Sequence, residues 1–164
     1  MMMEDSGSDD LVTDLVVAVF RLNGTLLETG NDLVGELGLT TAWWQVLGAL
    51  SRSPAPIPVA HIARNMGLSR QSVQRNVDLL AGKGMVRFTA NPHHQRAKLV
   101  VLTAEGTAAV NAADARQQPV GQQLVASIGR ERIAAALAVL SEVDALLSGA
   151  ASGSEDLKQK EVAA

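Results

Sequence analysis

Residues 61–84, HIARNMGLSRQSVQRNVDLLAGKG, constrain the fold of this chain more than any other stretch. Two short helical patterns meet at Gly67 and Leu68, and the second opens on Ser69, whose hydroxyl can accept from the free N–H groups of a helix start. Val73, Val77 and Leu80 recur at the i, i+4, i+7 spacing of one helix face, which predicts packing against Ile62, Ala63 and Met66 of the first pattern. Gln71, Gln74, Arg75 and Asp78 then fall on the opposite face, with Arg70 and Ser72 flanking it near the helix start. Two short helices joined by a tight glycine turn form a helix-turn-helix.

That outward face is chemically able to read nucleic acid. Arginine bonds guanine through two N–H groups, and glutamine can pair with adenine in the same two-pronged way. The plain alternative is a solvated polar face. The helix-turn-helix context favours the first, because the inward pattern leaves this surface uncovered.

Charge supports the same region. The chain carries a formal charge of −3, so it is not basic overall. Yet residues 61–98 hold Arg64, Arg70, Arg75, Lys83, Arg87, Arg96 and Lys98 against one acid, Asp78. A site touching phosphate needs cations only where the backbone is met. The 164 residues suit one domain with a respectable core. The absence of cysteine excludes disulfides, thiolate catalysis and zinc–thiolate sites. No apolar run has the length of a membrane span, and the acidic N-terminus is unlike a secretion signal, so a cytoplasmic location is expected.

Along the chain, residues 1–8 lack a core-forming pattern and are expected to be disordered. From residue 9 to about 29, Leu11, Leu15, Val19, Leu22 and Leu26 keep helical spacing, while Val12, Val16, Val17 and Leu27 widen the apolar arc. An arc that wide suits a partner subunit, or else a central core helix. Gly30, Gly35 and Gly38 are expected to loosen the next segment, and Thr40 to cap a helix through Ser51 that offers Val46, Leu47 and Leu50 to the core. Trp43 and Trp44 are two of the four aromatic residues, and being adjacent they point about 100 degrees apart on a helix. One is expected in the core. The other is expected at a cavity or subunit contact, the alternative being plain core packing for both.

Residues 53–58, SPAPIP, read as a loop because of their three prolines. After the motif, Gly82 and Gly84 end the second helix. Residues 85–90 and 97–102 are β-prone runs around the turn-forming NPHHQ, which predicts a hairpin with Arg96 at its tip and Lys98 nearby. A basic hairpin beside a recognition helix is a wing, whose arginine can enter an adjacent minor groove; the alternative is a solvent-exposed turn. Thr103 is placed to cap the following helix, with Glu105 at its positive end, until Pro119 and Gly121 bend or interrupt it. A last helix follows Gly129, with Ile133, Leu137, Leu140 and Leu147 on one side. From Gly149 onward small and charged residues dominate, and disorder is expected.

The run GLSRQSVQRNVDLLAGKGMV, the wing NPHHQRAKLVVLT and the following AEG resemble the winged helix-turn-helix of the MarR family of bacterial transcriptional regulators, over residues 39–106. The resemblance implies a mainly α fold with a small β-hairpin wing, flanked by N- and C-terminal dimerisation helices. It divides the chain into an N-terminal dimerisation segment (9–38), the winged helix-turn-helix (39–103), C-terminal dimerisation helices (104–148) and a tail (149–164). It places Ser69, Arg70, Gln71, Ser72, Gln74 and Arg75 on the reading helix and Arg96 at the wing. It further implies a homodimer on a pseudo-palindromic double-stranded DNA operator, usually a repressor relieved by a small ligand. One departure stands out: where the family's wing commonly has Asp two residues before the arginine, this chain has His94. A neutral histidine cannot orient Arg96 as a carboxylate would. Histidine is also a residue type that gains charge on mild acidification, which would add phosphate attraction.

His61, His93 and His94 are the only histidines and have poor ligand spacing, so no metal is expected. No nucleophile elbow, phosphate loop or catalytic carboxylate pair stands out, so neither a cofactor nor an enzymatic activity is expected. Two functions follow. One is an operator-binding repressor whose effector, small and apolar or aromatic, sits between the dimer helices and the winged region near Trp43 or Trp44. The other is a winged-helix adaptor for protein partners that lacks sequence-specific DNA binding. Arg75 and Arg96 on the expected surfaces favour the first.

Overall fold

The computed structural model describes residues 6–94 and 96–162, with side chains over 10–149 apart from 95. The chain forms α1 (Ser6–Val34), a 3-10 turn (Gly35–Leu37), α2 (Thr41–Ser51), β1 (Ile57–Pro58), α3 (Val59–Met66), α4 (Arg70–Gly82), β2 (Val86–Thr89), β3 (Leu99–Leu102), α5 (Ala104–Ile128) and α6 (Arg130–Val162). It is mainly α with a small sheet, as expected. Two compact units divide between Gln117 and Gln118.

The first unit is built on α2. Thr40 caps it, its side chain accepting from the Trp43 N–H. The helix is apolar almost all round, and it buries Val46, Leu47, Ala49 and Leu50. Such a helix belongs at the centre of a core. It packs on α1, α3, α4 and β3, and the core joins Ile62 of α3, Val73, Val77 and Leu80 of α4, and Val100 of β3. The inward pattern expected for residues 61–84 is therefore present.

Several expectations are corrected. Gly30 does not loosen the chain after α1 but lies buried inside it, because a Cβ there would stand 2.5 Å from the Thr41 Oγ1. The missing side chain lets α1 meet the start of α2, where the Thr41 hydroxyl donates to the Leu27 carbonyl at 3.0 Å. The Asn31 side-chain oxygen accepts from the Thr41 backbone N–H at 2.9 Å, which supplies one of the donors a helix start leaves free with a partner. The α-helix gives way to the 3-10 turn at Gly35, and Gly38 follows in the left-handed region with φ of 68°.

The proline-rich loop ends in a strand. Ile57 and Pro58 pair antiparallel with Val100 and Leu99, so the wing hairpin is part of a three-stranded sheet in the order β1–β3–β2. Proline is tolerated there because β1 is an edge strand, with no second neighbour to receive an N–H. In the hairpin itself Val86 faces Leu102 and Thr89 faces Leu99.

Pro119 does not interrupt α5, which continues to Ile128. Ala115 and Pro119 are both exposed, so the Ala115 carbonyl that loses its helical partner lies beside water. The helix stops instead at Gly129, whose φ of 91° no L side chain favours. In the second unit Ile133 is half-buried, whereas Leu137, Leu140 and Leu147 are exposed in the single chain.

At the termini, the backbone of residues 6–8 already belongs to α1, and residues 1–5 of the segment expected to be disordered lie outside the described residues. The tail from residue 149 continues α6 as helical backbone to Val162, with 163–164 outside the described residues. Alanine, glutamate, lysine and glutamine propagate an existing helix at little cost, whereas starting one is unfavourable.

Candidate nucleic-acid interface

The reading helix is set by its first turn. Gly67 ends α3 in the left-handed region, at φ of 61°, and the Leu68 N–H returns to the Ala63 carbonyl at 3.0 Å. Ser69 then caps α4, its hydroxyl accepting from the Ser72 N–H at 3.2 Å. Val73, Val77 and Leu80 have no exposed surface, which fixes the rotation of α4 about its axis. Arg70, Gln71, Arg75 and Asp78 are consequently exposed, and Ser72 and Gln74 are half-buried.

The wing is held by a residue that pattern reading passes over. Asn91 donates from its side chain to the Ala97 carbonyl at 2.9 Å and accepts from the His93 N–H at 3.0 Å. One amide thus ties both ends of the tip together, a local turn device typical of asparagine. Arg96 and Lys98 are exposed on that tip.

The base of the wing is fastened to α5. The Thr103 hydroxyl donates to the Gly84 carbonyl at 2.7 Å and accepts from the Gly106 N–H at 3.0 Å. Gly106 is buried against the Met85 carbonyl, which a Cβ would overlap. This explains the Thr-Ala-Glu-Gly order at the end of the hairpin.

Between α4 and the wing lies an open groove of about 790 Å³. It gathers Arg70 and Gln74 of α4 with His94, Arg96 and Lys98 of the wing. His61 and Arg64 of α3 line its third side. Neither was singled out for this face from the sequence, although their i, i+3 spacing opposite Ile62 and Ala63 is the available signal. A second depression, of about 550 Å³, is lined by Arg70, Gln71, Gln74 and Arg75. Ser69 and Ser72 line neither, and the bond between them serves the helix start.

None of the groove's cations forms a salt bridge among the described residues. Among the described residues the one salt bridge is Arg116 to Glu36, at 2.8 Å, away from this face. Asp78, the acid in the groove, accepts instead from the Gln74 amide at 2.9 Å. Unpaired guanidinium and ammonium groups around a concave surface raise the local potential for phosphate.

Trp43 and Trp44 lie apart from the groove. Both are half-buried and packed against the core, where one of the pair was expected. Each uses a polar handle: the Lys83 ammonium sits 5.2 Å from the centre of the Trp43 ring, and the Trp44 indole N–H donates to Asp114 of α5 at 2.8 Å. A ring with one apolar side and one polar contact is stable at such a boundary. Among the described residues no helix is long and apolar enough to cross a membrane.

A three-helix helix-turn-helix core, a basic wing closing one side of the reading helix, and long flanking helices define a winged-helix DNA-binding regulator. Residues 37–97 match the family model described as "MarR family". An uncharacterized protein of Mycobacterium tuberculosis is 34% identical over 119 residues, covering 73% of this chain and 82% of that protein. The "Transcriptional activatory protein BadR" of Rhodopseudomonas palustris is 31% identical over 99 residues, covering 59% of this chain and 57% of that one. Among solved structures, the transcriptional repressor CouR bound to a 23-mer DNA duplex has a TM-score of 0.70 at 24% identity, covering 88% of this chain and 99% of that one. CouR from Rhodococcus jostii bound to p-coumaroyl-CoA has a TM-score of 0.71 at 24% identity, covering 81% and 93%. The chain belongs to the MarR family of DNA-binding transcriptional regulators.

Proposed function

We propose that the chain works as a homodimeric repressor that grips a pseudo-palindromic operator and releases it when a small apolar or aromatic ligand binds. In each protomer α4 lies in the major groove, with Arg70, Gln71, Gln74 and Arg75 toward base edges, Ser69 and Ser72 at the helix start near phosphate, and Arg96 and Lys98 of the wing on the adjacent minor groove and backbone. The observation that carries this reading is the groove between α4 and the wing, whose cations have no acid partner among the described residues. The fold has concentrated positive charge on one concave face of a chain with a net charge of −3.

The dimer is supported by α1, where Leu11, Val12, Phe20 and Leu26 are each more than half exposed in the single chain. An apolar stripe of that length on a monomer is a target for a partner. A pair of reading helices about 34 Å apart meets successive major grooves on one side of the duplex. The repressor sense is supported by the likeness to CouR, described as a repressor on DNA, over BadR, whose name records activation and whose length is less fully matched. Release by ligand requires different affinity for two dimer geometries. Trp43 and Trp44, half-buried where α2 approaches the end of α4 and α5, are the aromatic surface such a ligand would meet. The p-coumaroyl-CoA bound to CouR has an aromatic acyl group of that kind.

The test is selection of bound DNA from a random pool, followed by a gel shift on the selected duplex. Replacing Arg75 and Arg96 together with Ala is expected to weaken binding by about 2 to 6 kcal/mol, at about 1 to 3 kcal/mol for each base or groove contact. An unchanged shift would overturn the reading. Metabolites that release the DNA are then titrated against indole fluorescence, which reports on Trp43 and Trp44 alone because these are the two tryptophans.

A further inference from the structure

We propose that Asp78 is a positioning residue that makes Gln74 a reader of adenine. The inference rests on α4 being the reading helix, as proposed above. Asp78 is the one acid among residues 61–98, and it lines the same groove as Arg64, Arg70, Arg96 and Lys98. In a surface meant for phosphate a carboxylate is costly, since it repels the DNA backbone. It makes no salt bridge among the described residues, although Arg75 stands one turn away. Its bond is with Gln74, whose Nε2 donates to the Asp78 Oδ1 at 2.9 Å across an i, i+4 step.

The chemistry of that bond fixes which way the amide faces. An ionised carboxylate only accepts, so the Gln74 side chain must turn its NH2 group toward Asp78 and not its carbonyl. One N–H is thereby used. What remains at the free edge of the amide is one acceptor, Oε1, and one donor, the second N–H. Adenine presents a matching edge in the major groove, with a donor at N6 and an acceptor at N7. Guanine presents two acceptors, O6 and N7, and would need both amide N–H groups. Half-burial of Gln74 limits other arrangements. Asp78 therefore exchanges some phosphate attraction for a choice between the two purines.

The experiment is DNA selection from a random pool with the full-length protein and with Gln74→Ala, Arg75→Ala, Asp78→Asn and Asp78→Glu, at one salt concentration. Gln74→Ala is expected to abolish an adenine preference at one symmetric position of each half-site. Asp78→Asn, nearly isosteric but able to donate as well as accept, is expected to cut the adenine-to-guanine ratio at that same position at least about fivefold. It is also expected to strengthen binding to all sequences, because an anion has left the groove. Asp78→Glu keeps the carboxylate and is expected to retain the preference. A purely structural role for Asp78 would alter stability without moving the base preference. If Asp78→Asn keeps the full adenine preference that Gln74→Ala removes, the inference is overturned while α4 remains the reading helix. If Gln74→Ala changes no position but Arg75→Ala does, Gln74 is not a reader and the inference falls. Should the unmodified protein select no sequence at all, the reading of α4 fails first.

Discussion

Gly106→Ala is the substitution whose outcome the packing dictates most sharply. In the middle of an exposed helix, alanine in place of glycine stabilises by about 1 kcal/mol. Gly106 sits in the first turn of α5, however, where a Cβ would overlap the Met85 carbonyl oxygen and stand 3.2 Å from a Leu102 methyl. That carbonyl cannot swing aside freely. It accepts from the Thr103 N–H at 3.1 Å, and the Met85 N–H is held by the Leu80 carbonyl at 3.0 Å. Overpacking of this kind costs about 1 to 3 kcal/mol. Any relief by separating α5 from Met85 costs the Thr103 bond, about 0.5 to 1.5 kcal/mol, and strains the Thr103 cap on Gly106, about 1 kcal/mol more. With all these costs set against the helix gain, the net expectation is a loss of about 1.5 to 4.5 kcal/mol. Urea unfolding followed by circular dichroism measures it, at a fixed protomer concentration because association adds to apparent stability. Gly121→Ala is the control: it lies in the same helix with nothing within 4 Å of its Cβ, and a gain of about 0.5 to 1 kcal/mol is expected. A Gly106→Ala protein as stable as the unmodified one would refute the reasoning.

Two further substitutions probe other levels of the structure. Ser69→Ala removes the hydroxyl that accepts from the Ser72 N–H, and a loss of about 1 kcal/mol in unfolding is expected, with weaker DNA binding because the first turn carries Arg70 and Gln71; equal midpoints would show that the cap does not matter. Phe20→Glu places a charge on the α1 face where Phe20 is 72% exposed, and sedimentation is expected to show a dimer for the unmodified protein and a shift toward monomer for the variant. A monomeric unmodified protein would remove the homodimer from the proposed function.

Much of the first unit is written in neighbouring residues. Ser69 precedes α4, Thr40 precedes α2, and Val73, Val77 and Leu80 repeat with the period of a helix, so these elements and their buried faces follow from spacing alone. Capping and periodicity act over three to seven residues, and a sequence displays them directly. The reading surface was legible for the same reason: once the inward face of α4 is known, the outward face is what remains.

Other features depend on segments that meet only after folding. The sequence alone marks Gly30 and Pro58 as breakers, but Thr41 lies against the first and Leu99 pairs with the second, so one stays inside a helix and the other joins a strand. His61 and Arg64 become part of the groove only because α3 is turned toward a wing some thirty residues away. Asp78 and Gln74 share a helix face in the sequence, yet their bond, and the amide orientation it imposes, depends on which side chains surround them. Local order thus determined the helices, their caps and the cationic face of α4. Tertiary contact decided where glycine and proline are tolerated and which charges meet across the groove, because both depend on distances between residues that the chain itself leaves far apart.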